Sequence, residues 1–134
     1  MNLEFLEEFE DPYLHTPCGK GYFLAGVVLG MLAYHQVEKA ADLGSSPLFK
    51  VLSMGRLDVY TLKKHLARVP DLTAAYDLKD SRLLSLLGKA MEFIAMCSRD
   101  MGVDGNFAFT MGFVGSKDYY YGKIFPKKNE NGEV

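Results

Sequence analysis

Cysteine is scarce in this chain, with two in 134 residues. Cys18 and Cys97 lie far apart with no framework spacing, which excludes a disulfide-dense scaffold; a reducing cytosol suits them best. A long apolar run is missing too. The longest uncharged stretch, Gly21 to Val37, contains His35 and Gln36 and falls short of the ~20 apolar residues that a spanning helix needs. The acidic start, Met1-Asn2-Leu3-Glu4, lacks the basic and small-residue marks of a signal peptide. Low-complexity tracts and domain linkers are absent. A soluble, cytoplasmic protein of one domain is expected, without a membrane partner.

Signatures of chemistry are missing as well. The stretch His15-Thr16-Pro17-Cys18-Gly19-Lys20-Gly21 invites a phosphate-loop reading. That loop needs glycine five positions before its Gly-Lys pair and Ser or Thr after it. Leu14 and Gly21 occupy those positions, so the pattern fails. His15 and Cys18 offer two metal ligands where a closed zinc site needs four, and His35, His65 and Cys97 stand singly at no ligand spacing. Lys20, between two glycines, is placed to touch a phosphate, but punctuation before a helix is the favoured reading. No nucleophile–histidine arrangement carries a local signature. No catalytic residue, metal or cofactor is expected.

What is present is helical periodicity. Phe5, Leu6 and Phe9 fall on one side of a short helix over 3–9. Pro12 and Pro17 predict a loop from His15 to Gly21. A long helix is expected from about Tyr22 to Ala41, and a short one opened by Ser46-Pro47 to about Met54. Val59, Leu62, Leu66 and Val69 form an inward stripe over 57–69, halted before Pro70; a further turn or two follows within 71–79. Asp80 or Ser81 caps a helix on which Leu83, Leu87, Ala90, Ile94, Cys97 and Met101 face inward, with Gly102 ending it. Residues 106–125 fit a helix or a hairpin turning at Gly115–Asp118. The helix is preferred because a lone hairpin is marginally stable. The whole predicts an all-α bundle of about five helices as a single domain over 1–134, with an acidic segment at 1–11 and a frayed tail at 127–134.

Two further patterns stand out. Gly26 and Gly30 have the spacing that lets another backbone approach closely, at ~1 kcal/mol per helical glycine relative to alanine. Phe109-x-x-Gly112 echoes Phe23-x-x-Gly26, so the two segments are candidates to lie against each other. Charge is also segregated. Seven of the 17 acidic residues sit in 1–11 and 129–134, leaving 12–128 with all 15 basic residues against 10 acidic ones. Opposite the stripe of 57–69 lie Lys63, Lys64 and Arg68 beside Tyr60, with Arg56 just before. Arg82, Lys89 and Arg99 share one line of the next long helix, interrupted only by Glu92. Lys117, Lys123, Lys127 and Lys128 flank Tyr119-Tyr120-Tyr121. Such faces suit a phosphate backbone, and exposed tyrosines suit stacking on unpaired bases. A merely solvated surface is the alternative.

The run Phe23-Leu-Ala-Gly26-Val-Val-Leu-Gly30-Met-Leu-Ala-Tyr34-His-Gln36-Val-Glu-Lys-Ala40, then Pro47-Leu48-Phe49 and later Asn106-Phe-Ala-Phe109-Thr-Met-Gly112-Phe113, resembles the C-terminal part of CRISPR type I large subunits. The likeness spans about 20–115. It implies the small subunit of a Cascade-type effector, with type I-B the leading subtype. Such a subunit is a non-catalytic helical bundle that holds displaced DNA strand and crRNA–target duplex by backbone charge. Its implied partners are crRNA, target DNA, the large and backbone subunits, and further copies of itself. The nucleic-acid-binding residues Arg56, Lys63, Lys64, Arg68, Arg82, Lys89, Arg99, Lys117 and Lys123 come from the helical-face reading, not from the resemblance. The acidic N-terminal segment and the tyrosine cluster have no counterpart in it. A helical protein–protein adaptor is the alternative function.

Overall fold

Thr16 and Pro17 start the central element. Thr16 Oγ1 accepts the Gly19 amide at 3.1 Å, the Thr16 carbonyl accepts that of Lys20, and Pro17 supplies a fixed φ where no amide is needed. The computed structural model describes residues 1–36, 52, 56–78 and 80–126. In it α1 runs Pro17–Gln36, preceded by 3-10 turns at Glu4–Glu8 and Pro12–His15. The loop expected over 15–21 is thus corrected: capping by Thr16 outweighs the glycines, and most of that stretch is helix.

From Tyr22 to Ala33 every residue of α1 is buried, as befits a helix that is apolar all round. The other elements wrap it. α2 (Val59–Ala67) is capped by Asp58, whose carboxylate accepts the Thr61 amide at 2.7 Å. The chain breaks at Arg68 and restarts as α3 (Val69–Ala75) with Pro70 in its first turn. Asp80 caps α4 (Ser81–Ala95), and α5 (Gly102–Val114) leads to a single turn, α6 (Ser116–Tyr119), that widens into a π turn at Tyr120–Ile124. The fold is all-α, with no strand among the described residues. The hairpin alternative for 106–125 is set aside. The ends of the first long helix beyond Gln36, the Ser46-Pro47 helix and the tail at 127–134 lie outside the described residues.

A second expected boundary is corrected. The helix capped by Asp80 stops at Ala95 and not at Gly102. Cys97 to Met101 leave it, Asp100 turns its carboxylate to the amides of Val59 (2.9 Å) and Met101 (2.7 Å), and Gly102 adopts φ +59°. Glycine tolerates that left-handed conformation. It opens α5 and does not close α4.

The glycine echo is real contact. A Cβ on Gly26 would overlap the Phe109 carbonyl, and one on Gly112 would overlap the Phe23 carbonyl. Each glycine therefore turns an α-hydrogen toward the partner helix's backbone, the geometry of a Cα–H···O contact. Gly30 likewise abuts the Phe113 carbonyl and Ser116. Contacts 22–105, 26–109 and 30–113 advance in equal steps, so α1 and α5 run in the same direction. Gly21 gives α1 a second close face, against Phe93 and Ile94 of α4.

Phe5 and Phe9 pack with Phe23 and Tyr119 in one ring cluster, with centroids 4.8–6.3 Å apart. The Asn2 amide bonds the Ile124 carbonyl at 2.9 Å. Burial of Phe5 and Leu6 accounts for the docking of an N-terminal segment that carries five acidic residues.

Gly26→Ala and Gly112→Ala should each destabilise the protein by about 2 kcal/mol or more, since the methyl meets backbone that cannot swing aside. Gly88, on α4, has open space at its Cβ position, and Gly88→Ala should stabilise by roughly 0.5–1 kcal/mol. Urea denaturation of the three variants checks both signs.

Candidate nucleic-acid interface

α2 is held by its inward residues. Leu62 and Leu66 are fully buried, so positions 60, 63, 64 and 68 turn outward. Lys63, Lys64 and Arg68 are exposed, Tyr60 is 71% exposed, and the Lys64 ammonium sits 5.1 Å from the Tyr60 ring centroid. Arg56 is exposed just before the Asp58 cap. His65, on the same helix, is held below the ordinary histidine range first by burial and then by the charges of Arg68 and Lys64.

Arg99 joins that face from elsewhere. It does not continue the α4 line as expected, because α4 has ended. The 97–101 segment instead folds toward α2. Lys63 and Arg99 line one open cleft of about 250 Å³, together with Ser98, Asp100 and the buried side chains of Tyr22 and Ile94. The Tyr22 hydroxyl donates to the Arg99 carbonyl at 3.0 Å, fixing the backbone beneath that cation.

The remaining basic candidates have nearer occupations. Arg82 makes two bonds to Asp80, at 3.0 and 3.2 Å, and lies 5.6 and 5.4 Å from the Tyr120 and Phe125 rings. Lys89 is 3.7 Å from Glu92 and 5.3 Å from the Phe93 ring. Lys117 stacks over Tyr34 at 5.1 Å. Lys123 shares a shallow cleft with Glu4 and Glu8. Lys127 and Lys128 lie outside the described residues. The continuous row expected along 82, 89 and 99 is therefore absent.

Exposed stacking tyrosines are also fewer than expected. Tyr119 is in the ring cluster with Phe5 and Phe23, and Tyr120 is fully buried, donating to Asp80 at 2.7 Å. Tyr121, against the Tyr120 ring at 5.0 Å, is the exposed member.

The pieces of the opening histidine–cysteine stretch are engaged in structure. His15 Nε2 lies 2.8 Å from the Phe9 carbonyl, Lys20 donates to Glu7 at 2.6 Å, and Cys18 is bonded to Cys97. The expectation drawn from cysteine spacing is corrected here. A separation of 79 residues is no obstacle once α1 packs on α4, with Gly21 admitting Ile94 close to its backbone. Neither the disulfide nor the meeting of Lys63 with Arg99 has a signal in spacing, since both depend on where α4 stops. Among the described residues no three His, Cys, Asp or Glu side chains converge as a metal site, and no helix is long and apolar enough to cross a membrane.

Asp80 joins α4 to the π turn through Arg82 and Tyr120, so its removal is informative. Burial pushes its carboxyl up, but hydrogen bonds from Arg82 and Tyr120 outweigh this and hold it below the ordinary aspartate range. Its contribution is full above about pH 4 and is lost as pH falls through the depressed folded value. Asp80→Ala should cost about 1–3 kcal/mol at pH 7, mainly because the Tyr120 hydroxyl loses its acceptor while buried. The gap from wild type should narrow toward pH 3 in urea titrations.

A family of proteins, described as CRISPR-associated protein TM1802 (cas_TM1802) C-terminal domain, has a model that matches residues 2–125. No curated protein and no solved structure matches the chain.

Proposed function

The chain belongs to the CRISPR-associated protein TM1802 C-terminal domain family, and from that premise we propose that it is a non-catalytic nucleic-acid-binding subunit of a CRISPR interference complex. In this reading it acts as the small subunit of a type I effector, with type I-B the leading subtype. It holds the displaced strand and the crRNA–target region while bridging the large and backbone subunits and further copies of itself.

The observation that carries the reading is the outer face of α2. Lys63, Lys64 and Arg68 stand in solvent beside the exposed ring of Tyr60, with Arg99 brought alongside across the cleft. Ammonium and guanidinium groups of this kind bind phosphate without reading sequence, and an exposed aromatic ring beside them suits an unpaired base. Sequence is then supplied by guide pairing. Protein–backbone contacts tip a strand exchange that is nearly balanced on its own.

A second reading, a protein–protein adaptor, draws on the outward side of α5, where Val103, Phe107 and Val114 are exposed. The two differ in salt response.

With four to six phosphates contacted, log–log affinity for single-stranded DNA should fall with salt at a slope of roughly −3 to −4. Reversing Lys63, Lys64 and Arg68 together to Glu should weaken binding at least about tenfold at 0.1 M salt while leaving the circular dichroism spectrum unchanged. A flat salt response with unaltered affinity favours the adaptor.

A further inference from the structure

The cleft between Lys63 and Arg99 has a covalent bond in its wall. Cys97, which lines it, is joined to Cys18 in the first turn of α1. Arg99 follows two residues later, in a segment that belongs to no helix. The remaining polar ties of that segment are the Cys97 amide to Ile94, the Tyr22 hydroxyl to the Arg99 carbonyl and, at 3.6 Å, to Cys97 Sγ, the 3.2 Å approach of Cys97 Sγ to the Arg99 carbonyl, and the Asp100 carboxylate accepting the Val59 and Met101 amides. Ser98, Arg99 and Asp100 are all exposed. A short exposed connection outside any helix opens locally at low cost unless something anchors it. The disulfide is that anchor. Cys18 and Cys97 are both half-buried residues near the surface, not sealed in the core.

We propose that the Cys18–Cys97 disulfide is a redox clamp that sets the anion affinity of the Lys63–Arg99 cleft. Oxidised, it fixes Arg99 opposite Lys63; reduced, it releases the 97–100 segment and withdraws one cation from the site. The proposal rests on the nucleic-acid-binding reading above. In the reductive step the Sγ–Sγ bond breaks, each sulfur takes one proton, and the two electrons come from a dithiol that is itself oxidised to a disulfide. Clamping raises affinity by holding Arg99 where its phosphate contact can form without the segment first having to be ordered.

The test uses the full chain, oxidised with glutathione disulfide or reduced with dithiothreitol, and fluorescently labelled poly(dT) as the probe. Thiol titration should find no free thiol in the first sample and two in the second. Losing one phosphate contact should weaken binding about fivefold at 0.1 M salt and flatten the log–log salt slope by about 0.7. Cys18→Ser with Cys97→Ser should behave as the reduced protein in either buffer. If that variant misfolds, reduced wild type, whose helix content is read by circular dichroism, supplies the same comparison. Arg99→Gln should bind like reduced wild type and lose its response to reductant.

Equal affinity in both redox states, with binding intact, overturns the clamp and leaves the function reading standing. An undiminished redox response in Arg99→Gln also overturns it. Two free thiols after oxidation overturn it on chemistry alone. Absence of binding in both states overturns both the clamp and the reading beneath it.

Discussion

The close backbone contact between α1 and α5 is the constraint on which the rest of this structure depends. Gly26 lies on the Phe109 carbonyl and Gly112 on the Phe23 carbonyl. A helix pair this close brings the phenylalanines that flank those glycines into the same core. The cost of several helical glycines, about 1 kcal/mol each, is offset by dispersion and weak Cα–H···O contacts along the whole interface. Gly21 repeats the device against α4. With α1 enclosed from both sides, the connection between α4 and α5 has one place to go: across the start of α1 and beside α2.

That placement sorts the cations. A lysine or arginine near an acid and a ring is held as part of the packing, as with Lys20 on Glu7, Arg82 between Tyr120 and Phe125, and Lys89 on Glu92. α2 carries no acid of its own, and the carboxylate of its Asp58 cap accepts the Thr61 amide. Asp100, the acid nearest the cleft, is likewise turned to backbone amides. The positive face is thus produced as much by where the carboxylates are occupied as by where the basic residues lie.

Much of the fold was legible in the chain. The stripe Val59, Leu62, Leu66 and a cap at Asp80 or Ser81, of which the structure uses Asp80, were readable because a 3.6-residue period and a side-chain cap are local. The glycine–phenylalanine echo was readable because close helix packing demands small residues at fixed spacing. Where reading failed, the deciding interaction was distant in sequence. Periodicity carried α4 on to Gly102 because Cys97 and Met101 are indeed buried or half-buried. They are so through the disulfide and the α5 entry, not through helical register. The tyrosine triplet misled for a related reason: hydropathy does not say that Phe5 and Asp80 will come to meet it. Of the candidate site, the α2 face was visible from a single helix. Its partner Arg99 was placed correctly in no local pattern.

The account's central claim is that one surface, the outside of α2 with the 97–100 segment, is left free to meet a polyanion. Amide shift mapping by NMR during titration with single-stranded DNA tests it most directly. Perturbations should concentrate at 60–68 and 98–100, with His65 titrating at higher pH once phosphate offsets its neighbours. Perturbations gathered instead around Arg82, Lys89 and Lys117, or none at saturating DNA, would contradict it.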